Sequence, residues 1–241
     1  MSFPLTHLCV AWRVIEKLQN PVGNNLLPTE FILRHPAQFV LGSVAPDAVH
    51  YRKEFVGATQ SGIGPAKKTT HLCPVSEEKW GYVTDNEGWV QCVKEFLQNS
   101  VGRNLRPTEK SLAAGYAVHV LTDIANNMGP WHNFTTNHPQ EAAKGYTSAY
   151  YTDLKNIDLR LYHEIYKDSE AEKLLQTATP QDMPGLVNCE EMRAIQENLL
   201  YVQYKDAPQN VSTDNCVYVT YQQTLDFIEN TAEFCVKQLF S

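Results

Sequence analysis

His119 and Asp123 lie four residues apart in an otherwise apolar run, Ala-Gly-Tyr-Ala-Val-His-Val-Leu-Thr-Asp-Ile-Ala. Side chains at positions i and i+4 share one face of an α-helix, with Cβ atoms about 5–6 Å apart. An imidazole and a carboxylate at this spacing can therefore bind one cation. The ordinary alternative is an ion pair or a hydrogen-bonded core histidine, because apolar helix faces often carry a single polar pair.

Three further residues of the same chemical types lie beside apolar or small residues elsewhere in the chain. They are His7, Asp47 and His71. Imidazole nitrogens and carboxylate oxygens are ligands that zinc prefers, so these residues extend the candidate site. The six cysteines are scattered without a Cys-x-x-Cys pair, which argues against a thiolate zinc site or a redox motif.

The composition is that of a globular protein, with 43% hydrophobic and 20% charged residues, and it excludes a disordered or fibrous class. A chain of 241 residues can form one core, so we predict a single domain over residues 1–241. The formal net charge of −7 argues against an extended nucleic-acid surface, since affinity for polyphosphate comes from Lys and Arg. The sequence shows neither a transmembrane segment nor a signal peptide, and we expect a cytoplasmic protein. It leaves the oligomeric state open.

Apolar spacing and helix-breaking residues predict the elements that hold the candidate ligands. A first helix that begins near Thr6 carries His7 in its first turn. Gly42 and a following proline break the chain before Asp47, which we place on a turn or helix start. His71 lies near the middle of a long region rich in glycine and proline, over residues 52–84, that we predict to be a loop.

The remaining pattern is helical and predicts an all-α multi-helix bundle with long irregular loops. Another helix begins around residues 28–30, and the strand signal is limited to residues 217–221. The other predicted helices cover residues 86–98, 108–126, 139–168, 189–204 and 221–239.

In chain order, the candidate ligands form a recognisable series of short motifs. The series is Thr-His at 6–7, Gly-x3-Pro-Asp at 42–47, a loop histidine at 71, and Gly-x3-His-x3-Asp at 115–123. This order and spacing resemble the zinc-dependent phospholipase C and single-strand nuclease superfamily, over roughly residues 3–127. The resemblance implies an all-helical fold around a cluster of zinc ions.

By this resemblance, Asp47, His71, His119 and Asp123 surround a first zinc ion. His7 and Asp123 bind a second one, so that Asp123 bridges the two. In this superfamily the mature α-amine is also a ligand. Ser2 lies five residues before His7 and would supply that amine once Met1 is removed.

The sequence departs from the superfamily pattern after the bridging carboxylate. Asn127 stands where a further histidine is expected, and His132 replaces it only if the following loop folds back. The later His-x3-Glu pattern is absent, although Asp153 and Asp158 offer carboxylates. His50 follows Asp47 by three residues and could orient that carboxylate. We therefore expect one to two zinc ions, with a third as an open alternative.

The resemblance implies a zinc-dependent phosphoester hydrolase, of phospholipase C or phosphodiesterase type. A metal-bound hydroxide would attack the phosphorus atom, and Asp47 would act as the catalytic residue that accepts the proton of the attacking water. The expected substrate is a small phosphoester or a phospholipid headgroup. One alternative is a family-derived helical metal-binding or scaffold protein without catalytic activity, and another is a helical protein without metal. A helical phosphohydrolase of the His-Asp type would need an adjacent His-Asp dipeptide, which the sequence lacks.

Two lysines, Lys67 and Lys68, precede the loop histidine at position 71. They could steer a single phosphate toward His71. The alternative is a solvated pair, as such charged runs usually are.

Overall fold

The computed structural model describes residues 3–20, 29–52, 65–74 and 81–240. Most of these residues lie in helices, and the others form turns, loops and one isolated bridge between Met183 and Val187. The predicted all-α class is confirmed. Among the helices of this part of the chain, none combines the length and the apolar character that a bilayer crossing requires.

Twelve α-helices follow one another in the described ranges, several of them only one turn long. Two 3-10 segments, Ala45–Tyr51 and Gly145–Thr147, and two π-helical turns, Tyr162–Tyr166 and Asn198–Val202, connect or extend them. The α-helices are α1 (Pro4–Gln19), α2 (Glu30–Arg34), α3 (Pro36–Gly42), α4 (Pro65–Thr70), α5 (Asn86–Gly102), α6 (Pro107–Met128), α7 (Pro130–Asn137), α8 (Pro139–Ala142), α9 (Ala149–Leu161), α10 (Glu170–Thr177), α11 (Cys189–Glu197) and α12 (Tyr221–Phe240).

Helix α6 forms the centre of the molecule. Every residue from Ser111 to Ile124 is buried, because small and apolar side chains cover all faces of the helix, as expected for a core helix. Its neighbours include α1, α2, α3, α5 and α12 and the Ala45–Tyr51 segment. His119 and Asp123 therefore project from the most buried helix of the fold.

Two glycines bring α3 and α6 into backbone contact. A Cβ atom at Gly115 would lie 1.9 Å from the carbonyl oxygen of Phe39, and one at Gly42 would lie 2.2 Å from that of Leu112. Only residues without a Cβ allow this approach. The close approach carries Ser43, the residue after α3, to the side of α6 that holds the histidine.

Helix α1 begins at Pro4 rather than near Thr6, so the predicted start was wrong by one half-turn. Proline suits the first turn, where its missing N–H has no helical partner. The next N–H, of Leu5, is bound by a distant side chain, since it donates to Asp158 Oδ1 at 3.2 Å. His7 still lies in the first turn, as predicted.

The predicted helix over residues 139–168 was wrong, because the structure breaks it into separate pieces. Helix α8 ends at Ala142, and Gly145 adopts a positive φ of +58°, a left-handed conformation that glycine favours. Helix α9 then begins after Ser148, and its last turn changes to a π-helix at Tyr162. The predicted helix over 189–204 likewise ends in a π-helical turn.

The predicted strand over residues 217–221 was also wrong. The backbone N–H groups of Val217, Tyr218 and Val219 donate to Asp153 Oδ2 at 2.9, 2.7 and 3.3 Å. One carboxylate thus satisfies donors that a strand partner would otherwise bind. The predicted loop over 52–84 contains α4, and residues 53–64 and 75–80 of it lie outside the described residues.

Candidate metal centre

Five predicted ligands from four parts of the chain converge at one place. They form two groups, each with three ligand atoms within 4.8 Å of one another. The first group is His7, His119 and Asp123, and the second is Asp47, His71 and His119. Both groups therefore share His119, which lies on the central helix α6.

Backbone carbonyl groups fix the orientation of two of these histidines. His119 Nδ1 lies 2.8 Å from the oxygen of Ser43, and His71 Nδ1 lies 2.9 Å from that of Lys67. A carbonyl oxygen only accepts hydrogen bonds, so each Nδ1 carries the proton and each Nε2 presents a lone pair. The Gly42–Gly115 approach supplies the first of these contacts, since Ser43 directly follows it.

The two Nε2 atoms of His71 and His119 face each other at 3.2 Å. Burial, together with the charge of Lys67, lowers the pKa of His71 to about 4, so the Nε2 of His71 carries no proton at neutral pH. Two lone pairs at this distance repel each other. A cation bound by both nitrogens removes the repulsion, and this donor pair fits zinc.

Asp123 places its two oxygens against different histidines. Oδ1 lies 3.6 Å from His7 Nε2, and Oδ2 lies 3.5 Å from His71 Nε2. Burial alone would raise the pKa of this carboxyl, but the facing imidazoles outweigh it and lower the pKa to about 2. The carboxylate thus presents one oxygen to each of the two imidazoles.

The imidazole of His7 is buried without a hydrogen-bond partner in the described part of the chain. The residue is 1% exposed, and neither ring nitrogen has such a partner among the described residues. Its ring stacks on His119 with centroids 3.8 Å apart. Burial and the neighbouring His119 lower the pKa of His7 to about 3, so the ring is neutral at pH 7. An unpartnered buried lone pair is costly, and a metal ion would satisfy it.

Asp47 connects the buried histidines to a cavity. The carboxylate is 21% exposed, and its Oδ1 lies 3.4 Å from His71 Nε2, 3.4 Å from His50 Nε2 and 2.7 Å from Lys67 Nζ. Burial would raise its pKa, but the Lys67 ammonium and the adjacent imidazoles of His50 and His71 hold the pKa well below its usual value. His50 thus contacts the carboxylate that it was predicted to orient.

The cavity beside Asp47 has a volume of about 250 Å³. It is open to solvent on one side, and its walls combine polar and aromatic side chains, which include Asp47, His50, Lys67, Tyr51, Tyr146 and Tyr151. A larger cavity of about 330 Å³, lined by Asn126, Phe134 and Tyr150, contains none of the candidate ligands. The smaller cavity is therefore the one where a substrate would meet the centre.

The other candidate ligands lie outside both groups. Asn127 Nδ2 donates to the oxygen of Val83 and to Asn86 Oδ1, each at 2.8 Å, and His132 is exposed on α7. Asp153 Oδ2 and Asp158 Oδ1 accept the backbone hydrogen bonds described above, and Asp158 Oδ2 accepts one from the Tyr204 hydroxyl at 2.6 Å. Ser2 lies outside the described residues. The part of the chain that the structure describes thus offers no third group.

The sequence reasoning underestimated Lys67, which is 1% exposed rather than solvated. The feature of the sequence that indicates this burial is the position of Lys67, four residues before His71 at the end of a short helix. With this spacing, the backbone oxygen of Lys67 accepts a hydrogen bond from the His71 ring, and the Lys67 side chain lies beside Asp47. It also missed Ser43, whose role depends on a contact between distant helices.

Comparison with known proteins agrees with this geometry. The searches of curated proteins and of solved structures return no match. The family model described as zinc dependent phospholipase C matches residues 6–230, which include all five residues of the two ligand groups. The match covers most of the chain, and the chain therefore belongs to the zinc-dependent phospholipase C family.

Proposed function

We propose that the protein is a zinc-dependent phosphoester hydrolase that binds one to two zinc ions. The observation that carries the proposal is the pair of facing Nε2 lone pairs on His71 and His119, 3.2 Å apart. Two carboxylates, of Asp47 and Asp123, lie within 3.5 Å of the same His71 nitrogen. This donor set matches the ligand types of zinc hydrolases.

In this proposal Asp47, His71, His119 and Asp123 hold the first zinc ion. His7 and Asp123 would hold the second. Zinc supplies Lewis acidity, which lowers the pKa of a coordinated water toward about 7 and polarises phosphoryl oxygens. Asp47 alone among these ligands borders the cavity, so it is placed to accept the proton of the attacking water.

The cavity supports a small substrate rather than a polymer. A volume of about 250 Å³ suits a phosphoester or phospholipid headgroup, and aromatic walls can hold the organic part of such a molecule. The family also points to a phosphoester. The formal net charge of −7 supports the prediction that extended nucleic acid is not the substrate.

The test combines metal content with turnover. We expect one to two zinc ions per chain, measured by elemental analysis, and hydrolysis of bis-p-nitrophenyl phosphate or of one ester in a panel of phosphomonoesters, diesters and phospholipids. Asp123→Asn should lose most of the zinc and the turnover. Asp153→Asn is the matched control, because this buried carboxylate lies outside both ligand groups and should keep the zinc.

Two results would contradict the proposal in different ways. Unchanged turnover in a zinc-loaded Asp123→Asn protein would remove Asp123 from the site. Full zinc occupancy without hydrolysis of any ester in the panel would favour a non-catalytic metal-binding or scaffold protein.

A further inference from the structure

The larger cavity, of about 330 Å³, lies between the end of α6 and the helices α7, α9 and α12. Asn126 of α6, Phe134 of α7, Tyr150 of α9 and Phe227 of α12 line this α7 cavity. Its volume is near the lower end of the range of small-ligand sites, about 300–1,000 Å³. Among the described residues, none lines both this cavity and the one beside Asp47. The α7 cavity is therefore a separate place where a small molecule could bind.

Two buried side chains of the α7 cavity have polar atoms that lack a hydrogen-bond partner. Asn126 is 5% exposed and Tyr150 is 1% exposed. Neither Nδ2 of Asn126 nor the hydroxyl of Tyr150 has a partner among the described residues. The amide nitrogen only donates hydrogen bonds, whereas the hydroxyl donates and accepts. A buried polar group without a partner costs free energy, so a ligand with acceptor oxygens would remove this cost.

The polar side chains of the α7 cavity are mostly uncharged. None of the described residues that line it is Asp, Glu, Lys or Arg, although these four types make up 20% of the chain. At its exposed rim, Asn133, Asn137 and Gln223 add further side-chain amides. A charged ligand would lose water here without gaining a side chain of opposite charge. The lining therefore favours an uncharged ligand.

Aromatic rings form apolar walls of the α7 cavity, and their contacts fix them in place. The ring of Phe134 stacks on that of Tyr150, with centroids 4.2 Å apart, and meets the ring of Tyr218 edge-on at 5.2 Å. The backbone N–H of Tyr218 donates to Asp153 Oδ2 at 2.7 Å, which holds this wall against α9. Because the walls are already ordered, a ligand would bind with a small loss of side-chain entropy.

We propose that the α7 cavity is a binding site for an uncharged monosaccharide. The C–H face of a pyranose ring packs on aromatic rings, and its hydroxyl groups donate and accept hydrogen bonds, as side-chain amides do. Asn126 Nδ2 and the Tyr150 hydroxyl donate to oxygens of the sugar. A purely apolar ligand would leave both of these atoms without partners. The inference does not rest on the proposed hydrolase function, because the described lining of the cavity contains none of the residues of the two ligand groups.

Binding of methyl glycosides of glucose, galactose and mannose tests this inference. Saturation-transfer NMR detects the complex, and isothermal titration measures its affinity. We expect saturable binding of at least one glycoside. Tyr150→Phe removes one hydroxyl and keeps the ring, so it should weaken this affinity about 3- to 10-fold. Asn126→Leu removes the amide donor at similar volume and should weaken it by a similar factor. The corresponding uronate, which adds a carboxylate to the same ring, should bind more weakly than the neutral sugar.

Tyr166→Phe is the matched control. Tyr166 is also 1% exposed, and its hydroxyl likewise has no hydrogen-bond partner among the described residues. It does not line the α7 cavity, so this variant should leave the sugar affinity unchanged. Circular dichroism checks the fold of each variant. The conservative Tyr150→Phe variant keeps the test valid if Asn126→Leu is poorly folded.

Three results would overturn the inference. The first is the absence of saturable binding for all three glycosides. The second is a sugar affinity that Tyr150→Phe and Asn126→Leu leave unchanged, and the third is a uronate that binds as tightly as the neutral sugar. Zinc content and ester hydrolysis are measured separately, so each of these results leaves the proposed function standing.

Discussion

Gly115→Ala tests whether the contact between α3 and α6 positions the metal centre. The added Cβ would lie 1.9 Å from the carbonyl oxygen of Phe39, whereas ordinary contacts are about 3.5 Å. The two helices would have to separate by about 1.5 Å to restore such a contact. The opposing atom belongs to the backbone, so no side-chain rotation can relieve the clash.

The expected loss of stability follows from this displacement. Overpacking of a close-packed core costs about 1–3 kcal/mol, and separation also weakens the hydrogen bond from His119 Nδ1 to Ser43, worth about 1 kcal/mol. The higher helix propensity of alanine offsets about 1 kcal/mol of this loss of stability. We expect the free energy of unfolding to fall by about 1–3 kcal/mol. Zinc affinity should fall too, because His119 loses the partner that orients its ring.

Urea unfolding of the metal-free protein measures the stability change, and competition with a chelator measures zinc affinity. Gly102→Ala is the matched control, since its Cβ would meet nothing within 4 Å; it should change stability by no more than about 1 kcal/mol. A Gly115→Ala protein with the unfolding midpoint and zinc affinity of this control would refute the reasoning.

Three other perturbations have defined outcomes. His7→Leu should stabilise the metal-free protein by about 1–3 kcal/mol, because neither ring nitrogen has a hydrogen-bond partner among the residues that the structure describes. Zinc should then raise the melting temperature of this variant less than that of the wild type. Burial raises the pKa of Asp158 to about 7, so the folded state favours the protonated carboxyl. The free energy of unfolding, measured by urea titration relative to Asp158→Asn, should therefore decline by about 4 kcal/mol as the pH rises from about 4 to 7. Asp153→Asn should lower stability by about 1–3 kcal/mol, by weakening three hydrogen bonds, without changing zinc content; loss of zinc would make Asp153 a ligand.

Local spacing in the sequence was sufficient to predict the pairing of His119 with Asp123 and the helix that carries them. The i, i+4 relation of His119 and Asp123 is a property of one helix, and apolar periodicity predicts that helix directly. The breaks around Gly145 escaped prediction because apolar spacing continued through them. The predicted strand at 217–221 was false because the backbone N–H groups of Val217, Tyr218 and Val219 donate to the distant Asp153 carboxylate, a contact that local sequence does not reveal.

Contacts between distant elements account for what the sequence could not show. A lysine is ordinarily solvated, and only the packing of α4 against the Ala45–Tyr51 segment places Lys67 beside Asp47. The sharing of His119 between two groups likewise depends on where α1 and α4 meet α6. The single domain over residues 1–241 and the cytoplasmic location stay predictions.

Zinc content of the wild type and of His119→Ala shows whether the two ligand groups hold metal, because His119 belongs to both groups. Both proteins are loaded with zinc, desalted and analysed for metal per chain, and circular dichroism checks that the variant is folded. We expect one to two zinc ions per chain in the wild type and a loss of most of them in the variant. A wild type without zinc, or a folded variant with the full wild-type content, would contradict this expectation.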